Sequence, residues 1–300
     1  MTNRFGSLLA LILTLSFTLS SRADITILPM ALRPHLNLPS ATLPVQQSEE
    51  PFGQTLPSQS QSVLSVLDYV RDHMTHESID DLEKANSGYN RRDDFGGWIT
   101  DGNSCLDTRA KALVRDDDPK TPVKYRDERG CAVVKGLWHD PYAGDDYKLA
   151  KAIQIDHVVP LKHVYVTGGK DWAPEKRCYY ANFLHNGFHL LSVAGHENMA
   201  KGDKAPDQYM PPNDAFQCQY VANWMKVKAI WQLIATEDEV QAIEKVIQTH
   251  HCSDSKFAMT EDEIQAERDA IENSIPAHCQ DFAKNGAPRF QQLELPFPQN

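Results

Sequence analysis

The sequence predicts an α+β fold in which short strands are embedded in a mainly helical domain. Between residues 131 and 161, the apolar runs "CAVVKGLW" and "IQIDHVVPL" flank the turn-rich segment "DPYAGDDY", which indicates two or three short strands. Helical patterns lie on both sides of this region. Six cysteines form an even set for disulfide bonds. We therefore expect a mixed fold that disulfide bonds stabilise.

The first 23 residues have the three parts of a secretory signal peptide. Arg4 supplies a positive charge, residues 8–19 form an apolar core, and Ser21-Arg22-Ala23 ends the segment with small residues. The apolar core is too short for a membrane span, so we expect cleavage rather than an uncleaved anchor. No later stretch is apolar over the length of a bilayer. We expect an exported protein, secreted or periplasmic, with no stable membrane association.

Export makes disulfide bonds the expected state of the cysteines. Six cysteines allow 15 pairings, and sequence does not choose among them. We expect local pairs: Cys105 with Cys131, Cys178 with Cys218, and Cys252 with Cys279. A zinc cluster is the alternative, but the sequence has no CxxC motif that would favour one.

Composition divides the chain into five expected segments. They are a signal peptide (1–23), a linker rich in Pro, Ser and Gln (24–60), an N-terminal helical extension (61–94), the main domain (95–240) and an acidic C-terminal helical extension (241–300). In the N-terminal extension, an apolar stripe at helical spacing predicts a helix; its members are Val63, Leu67, Val70 and Met74.

Three further helices are expected towards the C-terminus. Residues 220–234 ("YVANWMKVKAIWQLI") carry apolar side chains at helical spacing. The tetrapeptide "TEDE" occurs twice, and Thr236 with Glu239 and Thr260 with Glu263 fit capping boxes. A helix is therefore expected to begin after each threonine.

The formal net charge of the chain is −11. This charge argues against a protein that nucleic acid holds through global electrostatic attraction. It does not exclude an enzyme with a locally positive groove.

Asp156 and His157 are the first candidate site, because they lie in the otherwise apolar run "QIDHVVPL". A neutral imidazole is suited to accept a proton near neutral pH, and a carboxylate is suited to hold a hard cation. Pro160 cannot donate to a central ladder, so it places the pair near a strand end. The alternative is a hydrogen-bonded core histidine.

The segment "HLLSVAGHENMAKGDKAP" (189–206) is the second candidate, read as a short strand, a turn and a helix that begins near Glu197. Asn198 and Lys201 lie three residues apart and so share a helical face. An asparagine offers an oxygen to a metal ion, and a lysine offers a charge to phosphate. The alternative is a solvated helix start.

Together these segments resemble the HNH (ββα-metal) nuclease motif, and in particular the secreted HNH endonucleases of bacteria. The matching blocks occur in order over roughly residues 95–240, which the resemblance identifies as an HNH nuclease domain. They are "CLDTR" (105–109), "GLWHDPYAG" (136–144), "DHVVPL" (156–161) and "NMAKGDKAP" (198–206), followed by "PPNDAFQCQYVANWMKVK".

The resemblance implies a role for each candidate residue. His157 is the general base that activates water, and Asp156 and Asn198 hold one divalent metal, with Mg²⁺ expected ahead of Mn²⁺ or Zn²⁺. Lys201 and Arg109 contact phosphate. For Arg109, a structural salt bridge to Asp107 or another carboxylate is the alternative.

His189 departs from the family pattern, which usually has Asn just before "LL" to hold the loop that bears the base. A neutral His189 can make that hydrogen bond, or it can reach the metal, which would favour Zn²⁺ or another transition ion.

We therefore expect a secreted, metal-dependent endonuclease that hydrolyses phosphodiester bonds in DNA, with RNA as a further substrate, and acts as a monomer. A catalytically inactive HNH-like binding or adhesion module is the alternative from another class, and a hydrolase of another phosphoester is a third. If the enzyme is a toxin, a small inhibitor protein is an expected partner.

Overall fold

The computed structural model describes residues 63–100, 102 and 104–285. The expected signal peptide (1–23) and linker (24–60) lie outside these residues. The helices of the described residues, in chain order, are α1 (Val66–Asp72), α2 (Ile79–Ala85), α3 (Arg91–Phe95), α4 (Thr108–Arg115), α5 (Leu161–Val166), α6 (Pro174–Ala181), α7 (Gly195–Lys201), α8 (Asp214–Trp231), α9 (Glu237–Thr249), α10 (Glu261–Asn273) and α11 (Ala277–Asn285).

The strands are short and lie among these helices. They are β1 (Val63–Ser65), β2 (Met74–Thr75), β3 (Lys124–Tyr125), β4 (Val133–His139), β5 (Asp146–Leu149), β6 (Ile153–His157), β7 (Leu190–Ala194), β8 (Ala235–Thr236) and β9 (Ala258–Thr260). Antiparallel pairs form between β1 and β9 and between β6 and β7, and β2 pairs with β8 in parallel. Strands β3, β4 and β5 form a three-stranded antiparallel sheet. The predicted mixed α/β class is confirmed.

The β6–β7 pair and α7 form a compact unit that carries both candidate segments. In the ladder, Asp156 lies opposite Leu191 and His157 lies opposite Leu190. Helix α7 begins at Gly195, directly after β7 ends, and packs back against both strands. Because adjacent strand residues point to opposite faces, Asp156 is directed towards one set of neighbours and His157 towards another.

Two buried clusters support this unit. The larger one surrounds α8 and includes aromatic side chains such as Tyr180, Trp224 and Trp231, together with Ile243 and Phe282 from the C-terminal helices. The smaller one lies against β4 and β6 and contains Leu113, Trp138, Ala150, Ile153, Ile155, Leu190 and Ala112. The expected boundary after residue 240 falls inside α9, and the C-terminal helices share the larger core.

The helix predicted from Val63 to Met74 is shorter in the structure. Helix α1 covers Val66–Asp72, and the Ser65 side chain caps its start by accepting a hydrogen bond from the Asp68 backbone N–H. The residues on either side form strand pairs with β9 and β8 instead. Long-range backbone pairing therefore limits the helix that the apolar spacing predicts.

The C-terminal helix predictions are confirmed. Helix α8 includes most of residues 220–234, and both capping boxes are present, with Thr236 and Glu239 at α9 and Thr260 and Glu263 at α10. None of the helices in the described residues is long and apolar enough to cross a membrane.

The cysteine pairing confirms one of the three expected bonds. Cys105 bonds Cys131 as predicted. The other two predictions are wrong, because Cys178 bonds Cys279 and Cys218 bonds Cys252. Helix α11 packs against α6 and brings Cys279 to Cys178 across 101 residues of sequence, a proximity that local spacing does not show.

Candidate active site

A cavity of about 580 Å³ opens beside β6 and the C-terminal half of α7. It brings together four residues that the sequence analysis singled out: Arg109, Asp156, His157 and Asn198. It does not include His189 or Lys201 among its lining residues.

His157 lies at the end of β6 between aromatic rings. Its imidazole is parallel to the indole of Trp98, with ring centroids 5.4 Å apart and planes 6° apart, and Tyr180 lies on a second side at 6.2 Å. Its Nε2–H donates to the carbonyl oxygen of Ala181 at 3.0 Å. Because a carbonyl only accepts, Nε2 carries the proton and Nδ1 keeps its lone pair.

The surroundings keep the His157 imidazole neutral. Burial, followed by the positive charge of Arg91, lowers the pKa of His157 well below its ordinary value. Among the residues that the structure describes, Nδ1 has no hydrogen-bond partner. A neutral ring with a free Nδ1 lone pair is the form of histidine that accepts a proton from water.

Asp156 points to the other face of β6 and is almost fully buried. The hydroxyl of Tyr142 donates to its Oδ2 at 2.6 Å, and the ammonium of Lys201 donates to its Oδ1 at 2.9 Å. Burial raises the pKa of Asp156, while the Lys201 charge acts to lower it. These two donors fix the orientation of the carboxylate at the cavity wall.

The prediction that Lys201 contacts phosphate needs correction. Its side chain is 0% exposed, and Nζ donates to both Asp156 Oδ1 and the backbone oxygen of His157, each at 2.9 Å. A buried charge is costly without a partner, so this ammonium serves Asp156 and the strand end rather than a ligand. Lys201 therefore holds Asp156 in place from behind the cavity.

Asn198 lies in α7 and faces β6 across the cavity. Its Nδ2 donates to Oε1 of Gln154 at 2.8 Å, and both side chains line the cavity. The amide oxygen of Asn198 is thereby left to accept from a ligand. Within the described part of the chain, no group of three or more His, Cys, Asp or Glu side chains could hold a metal ion.

His189 is buried away from this cavity, with 1% of its surface exposed. Its Nε2 donates to the backbone oxygen of Tyr180 at 2.8 Å, and its ring packs among Tyr180, Phe183 and Trp231. Burial lowers the pKa of His189 to about 3. This hydrogen bond ties the start of β7 to α6, and the position of His189 away from the cavity does not favour metal ligation.

Arg109 lines the cavity and is half-buried. Its Nη2 donates to the backbone oxygens of Ala150 and Ile153, both at 3.0 Å. Among the described residues no salt bridge joins Arg109 to Asp107, whose carboxylate caps α4 by accepting from the Ala110 backbone N–H at 2.7 Å and still acts on Arg109 through its charge. The guanidinium is thus anchored by neutral carbonyls and keeps its charge for an anion.

Sequence reasoning missed several residues of the cavity wall, among them Arg91 and Trp98. Trp98 is held in place through Asn182, whose Oδ1 accepts from the Ile99 backbone N–H at 3.1 Å and whose Nδ2 donates to the Gly97 oxygen at 3.1 Å. Asn182 also accepts from the Thr108 hydroxyl at 2.6 Å. The local signal in the sequence was the pair of glycines before Trp98. Two glycines indicate a turn, but they do not show which residue the Trp98 side chain contacts.

The cavity is cationic although the chain is acidic. Arg91, Arg109, Lys151 and Lys162 all line it. Lys162 is paired with Glu83 and Asp203, and Lys201 from behind compensates Asp156. The positive charges of Arg91, Arg109 and Lys151 therefore remain available to a ligand, so the cavity favours an anionic ligand.

Comparison with known proteins supports a nuclease. Residues 112–246 match the family of GmrSD restriction endonucleases, C-terminal domain. An uncharacterized secreted protein of Arthroderma benhamiae is 36% identical over 162 residues, which cover 54% of this chain and 76% of that protein. No solved structure matches the chain.

The secreted relative and the three disulfide bonds indicate an exported protein. This chain therefore belongs to the family of that secreted protein, and its residues 112–246 are similar to the C-terminal domain of the GmrSD restriction endonucleases.

Proposed function

We propose that this protein is an exported, metal-dependent endonuclease of the HNH type that hydrolyses phosphodiester bonds in DNA and also accepts RNA. The observation that carries the proposal is the position of His157. Its Nδ1 has no hydrogen-bond partner among the described residues, and its side chain lines a cavity that also contains Asp156, Asn198 and Arg109. Strands β6 and β7 followed by α7 supply the ββα arrangement that such a site needs.

In the proposed reaction, Nδ1 of His157 accepts a proton from water as the water oxygen attacks phosphorus. The bond from phosphorus to the 3′-oxygen breaks, and the leaving oxygen takes a proton from solvent. A positioned base of this kind accelerates a reaction by about 10²- to 10⁴-fold. The charge of Arg109 stabilises the phosphate as negative charge builds on it.

Asp156 and Asn198 are the residues that fit a metal ion. Each carboxylate oxygen of Asp156 accepts one hydrogen bond and retains a second lone pair, and Asn198 offers its amide oxygen. A divalent ion bound there would neutralise the scissile phosphate and stabilise the leaving oxygen. Two oxygen ligands, completed by water and substrate, suit Mg²⁺ better than Zn²⁺, which prefers more nitrogen or sulfur ligands.

The positive charge of the cavity explains how a chain with a net negative charge can act on nucleic acid. The cavity presents Arg91, Arg109 and Lys151, while the net charge of the whole chain is −11. Binding then depends on a few phosphate contacts, and it weakens steeply as salt rises.

Incubation of the mature protein with supercoiled plasmid tests this proposal. We expect nicking with Mg²⁺, its loss in EDTA, and its loss in Asn198→Ala but not in the surface variant Asn273→Ala. A parallel assay with structured RNA measures the second substrate. Absence of cleavage with Mg²⁺, Mn²⁺ and Zn²⁺ would contradict the proposal and support a catalytically inactive binding module.

A further inference from the structure

We propose that the substrate groove continues from the active-site cavity across Arg109 and Lys151 into a second cavity, where Arg126 binds phosphates of nucleotides flanking the cleaved bond. This inference rests on the proposed function. It names the substrate as a strand of several nucleotides rather than an isolated phosphodiester.

The second cavity adjoins the first. It has a volume of about 420 Å³ and lies between α4, the chain before β4, and the end of β5. Arg109 and Lys151 line both cavities, so the two open onto the same pair of cations. A nucleic-acid strand that leaves the active site on this side therefore passes over Arg109 and Lys151 before it reaches Arg126.

The charges along this path are free for an anion. Lys151 and Arg126 are exposed, and no ion pair to either is found among the described residues. Asp107 is the acidic residue of the second cavity's lining, and its carboxylate is engaged in capping α4. Three cations and one engaged carboxylate give the path a net positive character.

The second cavity also offers apolar surface beside these cations. Val133, Val134 and Leu149 line it, and the Leu149 side chain is unusually exposed for a large apolar residue, at 42%. Cations next to apolar contacts match a nucleotide, in which a charged phosphate alternates with the apolar faces of sugar and base.

The Cys105–Cys131 disulfide fixes the width of this cavity. Cys105 precedes α4, which carries Arg109, and Cys131 lies in the loop after Arg126. The backbone N–H of Arg126 donates to the oxygen of Ala132 at 2.8 Å, which holds that residue against the same loop. The bond therefore links the two walls that carry the cations.

The test compares Arg126→Ser/Lys151→Ser with the matched control Arg92→Ser/Lys148→Ser. The control removes the same charge from exposed residues that line neither cavity. The substrates are a 16-nucleotide single strand and the small diester bis(p-nitrophenyl) phosphate. The ratio of kcat/KM for the strand to kcat/KM for the diester is measured for each variant.

We expect the groove variant to lower this ratio about tenfold, mainly through KM for the strand, and the control to leave it within about twofold. In EDTA, fluorescence anisotropy should show weaker binding of the strand by the groove variant. The slope of log K against log salt concentration should become shallower by about 1.4, since about 0.7 is lost per single-strand phosphate contact.

Equal ratios for the groove variant and the control would overturn the inference. So would equal competition by poly-glutamate and by the 16-nucleotide strand, which would indicate an acidic-peptide surface. If the protein cleaves neither substrate, the proposed endonuclease activity is contradicted, but the proposed groove can still be tested by anisotropy. Strand binding that weakens in the Arg126→Ser/Lys151→Ser variant supports the groove. Strand binding that is unchanged in this variant contradicts the groove.

Discussion

The indole of Trp98 lies parallel to the imidazole of His157, with centroids 5.4 Å apart. The Nε2 edge of the imidazole is held by its hydrogen bond to the backbone oxygen of Ala181. Because the ring is fixed by a stack and a bond, its Nδ1 has one direction in which to accept a proton. Trp98 thus positions His157, the proposed base.

Replacement of Trp98 by Ala should lower kcat by about two- to tenfold, since an aromatic pair contributes about 0.5–1.5 kcal/mol. Trp98→Phe should keep most of the rate because it retains a stacking ring. Steady-state kinetics with plasmid checks both. A loss confined to KM, or an equal loss in the Phe variant, would show that Trp98 does not position His157.

Removal of the buried Lys201 charge should destabilise the fold. The variant Lys201→Met leaves Asp156 buried without its ionic partner, so the free energy of unfolding should fall by about 3–5 kcal/mol. The double variant Lys201→Met/Asp156→Asn should recover much of this loss. Urea denaturation measures both. Equal stability of the single and double variants would contradict the described pairing.

A second buried ion pair predicts how stability depends on pH. Burial acts to raise the pKa of Glu239, but the charge of Lys228, together with the contact from His163, outweighs it and holds the pKa at about 2, against an ordinary value of 4.5. The carboxylate therefore contributes stability above pH 4.5 that is lost as pH falls towards 2. The full contribution is about 3 kcal/mol.

Urea denaturation between pH 5 and pH 2.5 tests this on the intact protein and on Lys228→Met/Glu239→Gln, which removes both charges. The intact protein should lose more of its free energy of unfolding across this interval than the double variant. If the free energy of unfolding falls equally with pH in the two proteins, Glu239 does not govern acid stability.

The disulfide bonds should differ in their contribution to stability. Loss of Cys178–Cys279 opens a separation of 101 residues and should cost about 4.7 kcal/mol, whereas loss of Cys105–Cys131, with a separation of 26, should cost about 3.5 kcal/mol. Double Cys→Ala variants in urea measure the two values. A larger loss of stability without Cys105–Cys131 than without Cys178–Cys279 would contradict a stabilisation that depends on loop length.

Local patterns in the sequence predicted the elements of the site well. Apolar runs with turn residues predicted β6 and β7, and the polar segment after β7 predicted α7. Both capping boxes formed because each needs only residues three apart. Such features depend on neighbours in sequence, so sequence alone shows them.

Long-range contacts were beyond these patterns. Lys201 pairs with Asp156 across 45 residues, and Trp98 reaches His157 because Asn182 holds its loop. Cys279 bonds Cys178 because α11 packs on α6. In each case the sequence led to a different prediction: a lysine that contacts phosphate, a tryptophan without an assigned role, and a nearer cysteine partner.

Single-turnover cleavage by His157→Ala tests the central claim most directly. The matched control is His196→Ala, an exposed histidine in the neighbouring α7. We predict a rate lower by about 10²- to 10⁴-fold for His157→Ala, partly restored by added imidazole, and an unchanged rate for His196→Ala. A folded His157→Ala protein that cleaves plasmid within tenfold of the original rate would contradict the assignment of His157 as the base.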